Sequence, residues 1–171
     1  FIDVDDAKLI ANASSTTIAR VTLHDANGYA VSGANVEIQT DLGALLGAVQ
    51  DHGDGTYAQT LLAPPWTGTA TLRFWVDGVR YSDSALVQFV GGAPAKFQST
   101  IEASPILVEA NSSNQIIVTV VVRDEFGNGL SGHNVVVTAT LGSVNPLQDK
   151  GAGVYQGGAT AGSVVGVSTY G

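Results

Sequence analysis

The chain has 171 residues, with 15 Asp and Glu against 7 Lys and Arg, a formal net charge of −8, no Cys and no Met. That balance leaves no basic stripe for nucleic acid and excludes disulfides and thiolate metal sites. No run of 18 apolar residues exists to span a bilayer as a helix, and Phe1 opens the chain without the basic and apolar regions of a secretory leader. Apolar residues come instead in short alternating runs rich in Val, Ile and Thr, with Gly between them, which predicts strands and very little helix. In chain order, Thr17 to His24 alternates as a strand and Asp25 to Gly28 forms a tight turn. Ala34 to Thr40 then returns as the next strand, joined to the first by a short polar corner, with Val36 and Ile38 on one face. Asp54 to Tyr57 is a further turn feeding a strand that runs through Leu62. Gly68 to Val76 follows, with Leu72, Phe74 and Val76 facing away from Thr71, Arg73 and Trp75, and Ser84 to Val90 closes the unit. Gly91 to Ala95 is turn-rich and short, which places a boundary there between 1–92 and 93–171 and predicts limited freedom between the two parts. The second part opens with Lys96 to Ala103.

The two parts are copies. Ile18 to Gly43 returns as Ile117 to Gly142 at a constant shift of 99 residues (117 − 18), with Asp25, Gly28, Ser32, Gly33, Asn35 and Val36 meeting Asp124, Gly127, Ser131, Gly132, Asn134 and Val135. Turn residues are kept while titratable residues drift, the pattern of a structural module repeated in an array and not of a catalytic domain. Short, evenly spaced strands with turns between them predict an all-β chain of two tandem immunoglobulin-like β-sandwiches of about seven strands each.

The block from Val122 to Val135, its twin from Leu23 to Val36, and Asp51 to Leu61 with its G-x-Y at Gly55 to Tyr57 resemble the bacterial immunoglobulin-like repeats of intimin and invasin adhesins. Asp54 to Gly78 also resembles filamin-type repeats. This resemblance implies a non-enzymatic structural or adhesive module on the cell surface, one stretch of an extracellular rod or fibre. Its implied partners are neighbouring repeats or identical subunits and a host or surface glycan or protein receptor, with no nucleic acid and no membrane insertion. Lys150 to Tyr155 departs from the pattern by lacking an aspartate equivalent to Asp54.

The two copies do not cover the same stretch. Phe1 aligns with Thr100, so the first copy starts inside the strand that the second begins at Lys96. After Tyr57 the first copy runs 33 residues to Val90, whereas 16 follow Tyr155, so the second lacks its last strand, the twin of Ser84 to Val90. The strand is supplied either by a continuation of the same array or by a neighbouring subunit through β-augmentation, which makes the protein a subunit of a self-assembled filament.

Candidate chemistry is sparse. Asp3, Asp5 and Asp6, and Asp51, His52 and Asp54, supply hard oxygens at spacings a Ca²⁺ ion accepts, with Asp51 and Asp54 the weak metal candidates; the calcium-loop pattern with its final Glu is missing, so these read chiefly as turn residues. His24, His52 and His133 have no G-x-S-x-G near them, and Glu37, Glu102, Glu109 and Glu125 do not recur as Glu, so neither a triad nor a carboxylate pair is assigned. Trp66, in a Pro-Pro-Trp loop, is the candidate ligand contact, and a platform made by Trp66 and Trp75 defines the remaining alternative, a carbohydrate-binding module of a secreted hydrolase. Tyr57 and Tyr155 are expected to pack and tie a corner through their hydroxyls. Asn12 and Asn111 head N-x-S sequons that coincide in the repeat and are the candidate glycosylation sites, or two copied polar turns.

Overall fold

A computed structural model describes residues 1–111 and 114–171. The described residues form strands and turns without helix, in two compact units, Phe1–Gly91 and Gly92–Gly171.

Unit one is a sandwich of two four-stranded sheets. Its strands are β1 (Ile2–Val4), β2 (Lys8–Ile10), β3 (Thr16–Thr22), β4 (Val36–Thr40), β5 (Ala44–Asp51), β6 (Thr56–Leu62), β7 (Gly68–Val76) and β8 (Val79–Val90). One sheet runs in the order β1, β3, β6, β5 and the other β2, β8, β7, β4. The Asp25 corner therefore does not join a hairpin: β3 and β4 lie in opposite sheets. Alternation tells which residues of a strand face the core but not which sheet the strand joins. The core forms where the two inner faces meet, with Ala19, Val21, Tyr57 and Leu61 from one sheet against Ala70, Leu72, Phe74, Val87 and Phe89 from the other, all buried. Period-two burial along β7, where Ala70, Leu72 and Phe74 are inside and Thr71, Arg73 and Trp75 are not, is what this packing requires.

The chain crosses between sheets early, at Asp5 to Ala7, and the buried Thr17 hydroxyl oxygen accepts the Asp6 N–H at 2.9 Å. After the crossing β2 runs parallel to β8, with Lys8 opposite Gln88 and Ile10 opposite Val90. Backbone bonds Gln88 N–H to Ala7 O (2.8 Å) and Ala11 N–H to Val90 O (2.9 Å) flank this pair.

Unit two repeats the first sheet closely. Its strands are β9 (Thr100–Ser104), β10 (Gln115–Val121), β11 (Ser143–Val144), β12 (Gln148–Asp149) and β13 (Val154–Thr160), joined in one sheet through β13. Registers are conserved between copies: Ile2 faces Val21 and Val21 faces Tyr57, as Ile101 faces Val120 and Val120 faces Tyr155. The departure from unit one is larger than one strand. Among the described residues the second sheet is reduced to a bridge between Ala139 and Tyr170, with Thr138 and Gly171 exchanging backbone bonds beside it. With the second sheet so reduced, the buried residues among those described separate into two small clusters, one around Val118 and one around Tyr155.

Candidate functional site

The residues preserved between the copies converge on one corner of each unit. In unit one Tyr57 leaves the G-x-Y turn, is 1% exposed, and points its hydroxyl at the loop between β3 and β4. The O–H donates to Val31 O at 3.1 Å and the oxygen accepts Ala34 N–H at 3.1 Å. Tyr155 does the same in unit two, donating to Leu130 O at 2.8 Å and accepting His133 N–H at 2.9 Å. The glycine two residues earlier makes this approach feasible. Gly55 has φ +84, and a Cβ there would lie 2.8 Å from Leu23 O, while Leu23 N–H donates to Gly55 O at 2.9 Å. Gly153, at φ +78, pairs in the same way with Val122.

A carboxylate completes the tie. Asp51 Oδ2 accepts Gly33 N–H at 2.6 Å and Oδ1 accepts Gly53 N–H at 2.8 Å. Asp149 accepts Gly132 N–H at 2.6 Å and Gly151 N–H at 2.8 Å. In both residues these amide donors, led by Gly33 and Gly132, hold the carboxyl below its ordinary range. The Ser-Gly of the repeat block therefore exists to present an amide to an aspartate 17 or 18 residues later. Asp149 escapes the sequence reading because the shift between copies falls from 99 to 98 after the loop beyond Gly142, as Tyr57 and Tyr155 show (155 − 57).

The D-x-x-G turn sits on the same corner. Asp25 Oδ1 accepts Asn27 N–H at 2.8 Å and Tyr29 N–H at 2.9 Å, and Asp124 Oδ1 accepts Phe126 N–H at 2.9 Å and Asn128 N–H at 2.8 Å. Asp124 is fully buried, and its Oδ2 accepts Gly92 N–H at 2.8 Å and the Asn128 carboxamide N–H at 2.9 Å. Burial acts to raise its pKa, and the donors from Gly92, Asn128 and Phe126 outweigh it and bring it below the ordinary value.

Asp54 Oδ1 accepts both the hydroxyl and the N–H of Thr56, so Asp51 and Asp54 are each engaged by donors of their own turns. Asp5, just past the edge strand β1, pairs with Arg20 of β3 at 3.0 Å, and among the described residues no three His, Asp or Glu gather as a metal site. Trp66 is 59% exposed in its loop. Trp75 lies at the far end of β7, under Arg80 at 6.0 Å, about 23 Å of strand beyond Gly68 at ~3.3 Å per residue. The two indoles therefore do not share a platform. Asn12 Oδ1 accepts Ser14 N–H at 3.0 Å and Ser15 N–H at 2.7 Å, a polar turn, and Asn111 N–H donates to Gly162 O at 2.8 Å. Ser112 and Ser113, the rest of that second sequon, lie outside the described residues.

Unit two also carries an apolar groove of about 440 Å³ lined by residues that include Ala103, Val108, Ile116, Leu141, Val165 and Tyr170. Val108 and Leu141 are the twins of Leu9 and Leu42, which pack on the core of unit one that β8 helps to close.

The profile of the family described as invasin, domain 3, matches residues 1–92 and again 95–171. Invasin, a bacterial integrin-binding protein, is 27% identical with a TM-score of 0.83 over 99% of this chain and 35% of its own. InvD of Yersinia pseudotuberculosis is 22% identical with a TM-score of 0.75 over 99% of this chain and 55% of its own. FdeC, an Escherichia coli adhesin, is 22% identical with a TM-score of 0.60 over 97% of this chain and 56% of its own. The chain thus spans between about a third and a little over half of the solved structures it matches. It belongs to the invasin domain 3 family, whose profile it matches twice in succession.

Proposed function

We propose that this chain is a non-enzymatic, load-bearing spacer in an extracellular, cell-surface rod or fibre of immunoglobulin-like repeats. The observation that carries the reading is the parallel pairing of β2 with β8. Tension on unit one pulls β2 from its N-terminal side and β8 from its C-terminal side. Because the strands run parallel, that tension shears the pair and loads its bonds together, whereas an antiparallel hairpin would open one bond at a time. Two further observations support it. Tyr57, Asp51, Tyr155 and Asp149 are spent on tying their own loops, and this tying is repeated in both copies.

Purified chain, fluorescently labelled, is incubated with host-cell surfaces, immobilised integrins and a polysaccharide array. No saturable binding is expected. Saturable binding that disappears on Trp66→Ala overturns the spacer reading in favour of direct ligand contact through the exposed indole.

A second reading, strand donation between copies, is favoured by the unit-two groove. A synthetic peptide of the Ser84 to Val90 sequence, whose Ala85, Val87 and Phe89 are buried in unit one, is the probe. Saturable peptide binding with assembly of the chain at high concentration favours the filament; a monomer that ignores the peptide removes that reading.

A further inference from the structure

The two D-x-x-G turns share their internal bonds but not their surroundings. In each, the aspartate N–H donates to the carbonyl four residues on, Tyr29 O at 2.9 Å and Asn128 O at 3.0 Å. The glycine N–H returns to the aspartate carbonyl, at 3.0 Å in Gly28 and 3.1 Å in Gly127. In unit two the residues that enter the domain lie across this turn. Gly92 N–H reaches Asp124 Oδ2, Pro94 bridges to Asp124, Ala95 N–H donates to Arg123 O at 2.7 Å, and the Ser99 hydroxyl oxygen accepts Arg123 N–H at 3.1 Å. The result is a carboxylate with no exposure and an Asn128 that is buried with it. In unit one Asp25 is exposed, and among the described residues the backbone amides at its carboxylate, those of Asn27, Gly28 and Tyr29, all belong to its own turn. Tyr29, the twin of Asn128, is 73% exposed beside it.

We infer that the Asp25 turn is a docking seat for the linker of an immunoglobulin-like repeat on the N-terminal side of unit one, taking a backbone N–H on Asp25 Oδ2 as Asp124 takes that of Gly92. The occupant is defined by its twin: a glycine amide followed closely by proline, then a strand-forming stretch that pairs along His24 as Ala95 does along Arg123. A carboxylate is the suitable acceptor, because an ionised oxygen bonds a backbone N–H about twice as strongly as a neutral one. Proline after the glycine limits the entropy lost when the linker is laid down. The Oδ1 half of Asp25 is already fixed by Asn27 and Tyr29, so the second oxygen is held in place before the linker arrives. The linker entering unit one would then be held by the same corner that ties the loops of that unit. This deepens the spacer reading, but the chain can serve as a spacer without this lock, so the two fail separately.

The test uses the full chain with the Gly91 to Ser99 sequence fused directly before Phe1, the spacing that the repeat prescribes. Both tryptophans, Trp66 and Trp75, lie in unit one, so fluorescence-detected melting reports that unit. The extension is expected to raise the midpoint by at least about 6 °C, the shift that a charge-assisted hydrogen bond gives in a domain of this size. It should also slow exchange of the second glycine amide of the extension by at least about tenfold. Asp25→Asn abolishes both effects. Proline in place of that second glycine, which removes the N–H without touching unit one, abolishes the midpoint rise. An extension that changes neither reading, or raises the midpoint equally with and without Asp25→Asn, overturns the inference.

Discussion

Tyr57→Phe removes one oxygen atom from a residue that is 1% exposed and leaves the ring in place. Two backbone groups lose their partner: Val31 O loses the donated O–H at 3.1 Å and Ala34 N–H loses its acceptor at 3.1 Å. A typical intramolecular hydrogen bond contributes about 1 kcal/mol net, and a buried group left unpaired costs about 1–3 kcal/mol. Both bonds of the tie are part-buried, so the expected loss is about 2 kcal/mol. Urea unfolding followed by tryptophan fluorescence measures it cleanly, because both tryptophans belong to unit one. The midpoint should fall with no change in slope, since the surface exposed on unfolding is unchanged. Tyr155→Phe, the same change in unit two, should leave the fluorescence transition where it was and move only the far-ultraviolet signal. A Tyr57→Phe chain with the parental midpoint refutes the idea that the hydroxyl ties the corner. Equal fluorescence shifts from both variants refute the assignment of one tie to each unit.

Further consequences follow from the same corner. Gly55→Ala places a Cβ at φ +84 and 2.8 Å from Leu23 O, so it should destabilise unit one by about 1–3 kcal/mol, whereas Gly28→Ala, at φ +85 in open space, should cost about 1 kcal/mol, both read by urea midpoint. Asp25, Asp41, Asp51, Asp54, Asp124 and Asp149 all have lowered folded-state pKa values. Their contribution is present above the unfolded value of about 3.9 and is lost as pH falls through the folded values, so the midpoint should be flat from pH 7 to about 5 and drop below about 4. Asp51→Asn should make that drop shallower; a midpoint that rises on acidification contradicts the sign. Because Asp51 and Asp54 already accept N–H and O–H donors, a thermal melt with and without chelator should give the same midpoint, and a lower midpoint in chelator would restore calcium to the account.

Much of the fold was legible because the inner faces of the sandwich impose period-two burial. Gly68 to Val76 is a strand over the stretch that alternation indicates, and the tie from Tyr57 and Tyr155 follows from their shared place after a G-x-Y turn. Where a strand faces solvent the signal fades. β5 has no fully buried residue and a bulge between Leu46 and Gln50, and β8 begins at Val79, ahead of the alternating Ser84 to Val90, because Val79 to Asp83 is exposed. β1 and β2 are three residues each, too short to show a period, yet β2 makes the parallel pair on which the mechanical reading rests. The carboxylate ties were hidden for another reason. Asp51 reads as an ordinary turn residue until the amide of Gly33, 18 positions earlier, is seen on its oxygen.

The most direct test of the load-bearing claim is single-molecule extension of the chain from its two ends. The shear geometry of β2 against β8 predicts that unit one yields in one discrete event. Ala11→Pro, which deletes the N–H donated to Val90 O at 2.9 Å, is predicted to lower its unfolding force well beyond the proportional loss in thermal midpoint. Gradual yielding of unit one at low force, or an unfolding force that Ala11→Pro leaves unchanged, contradicts the account.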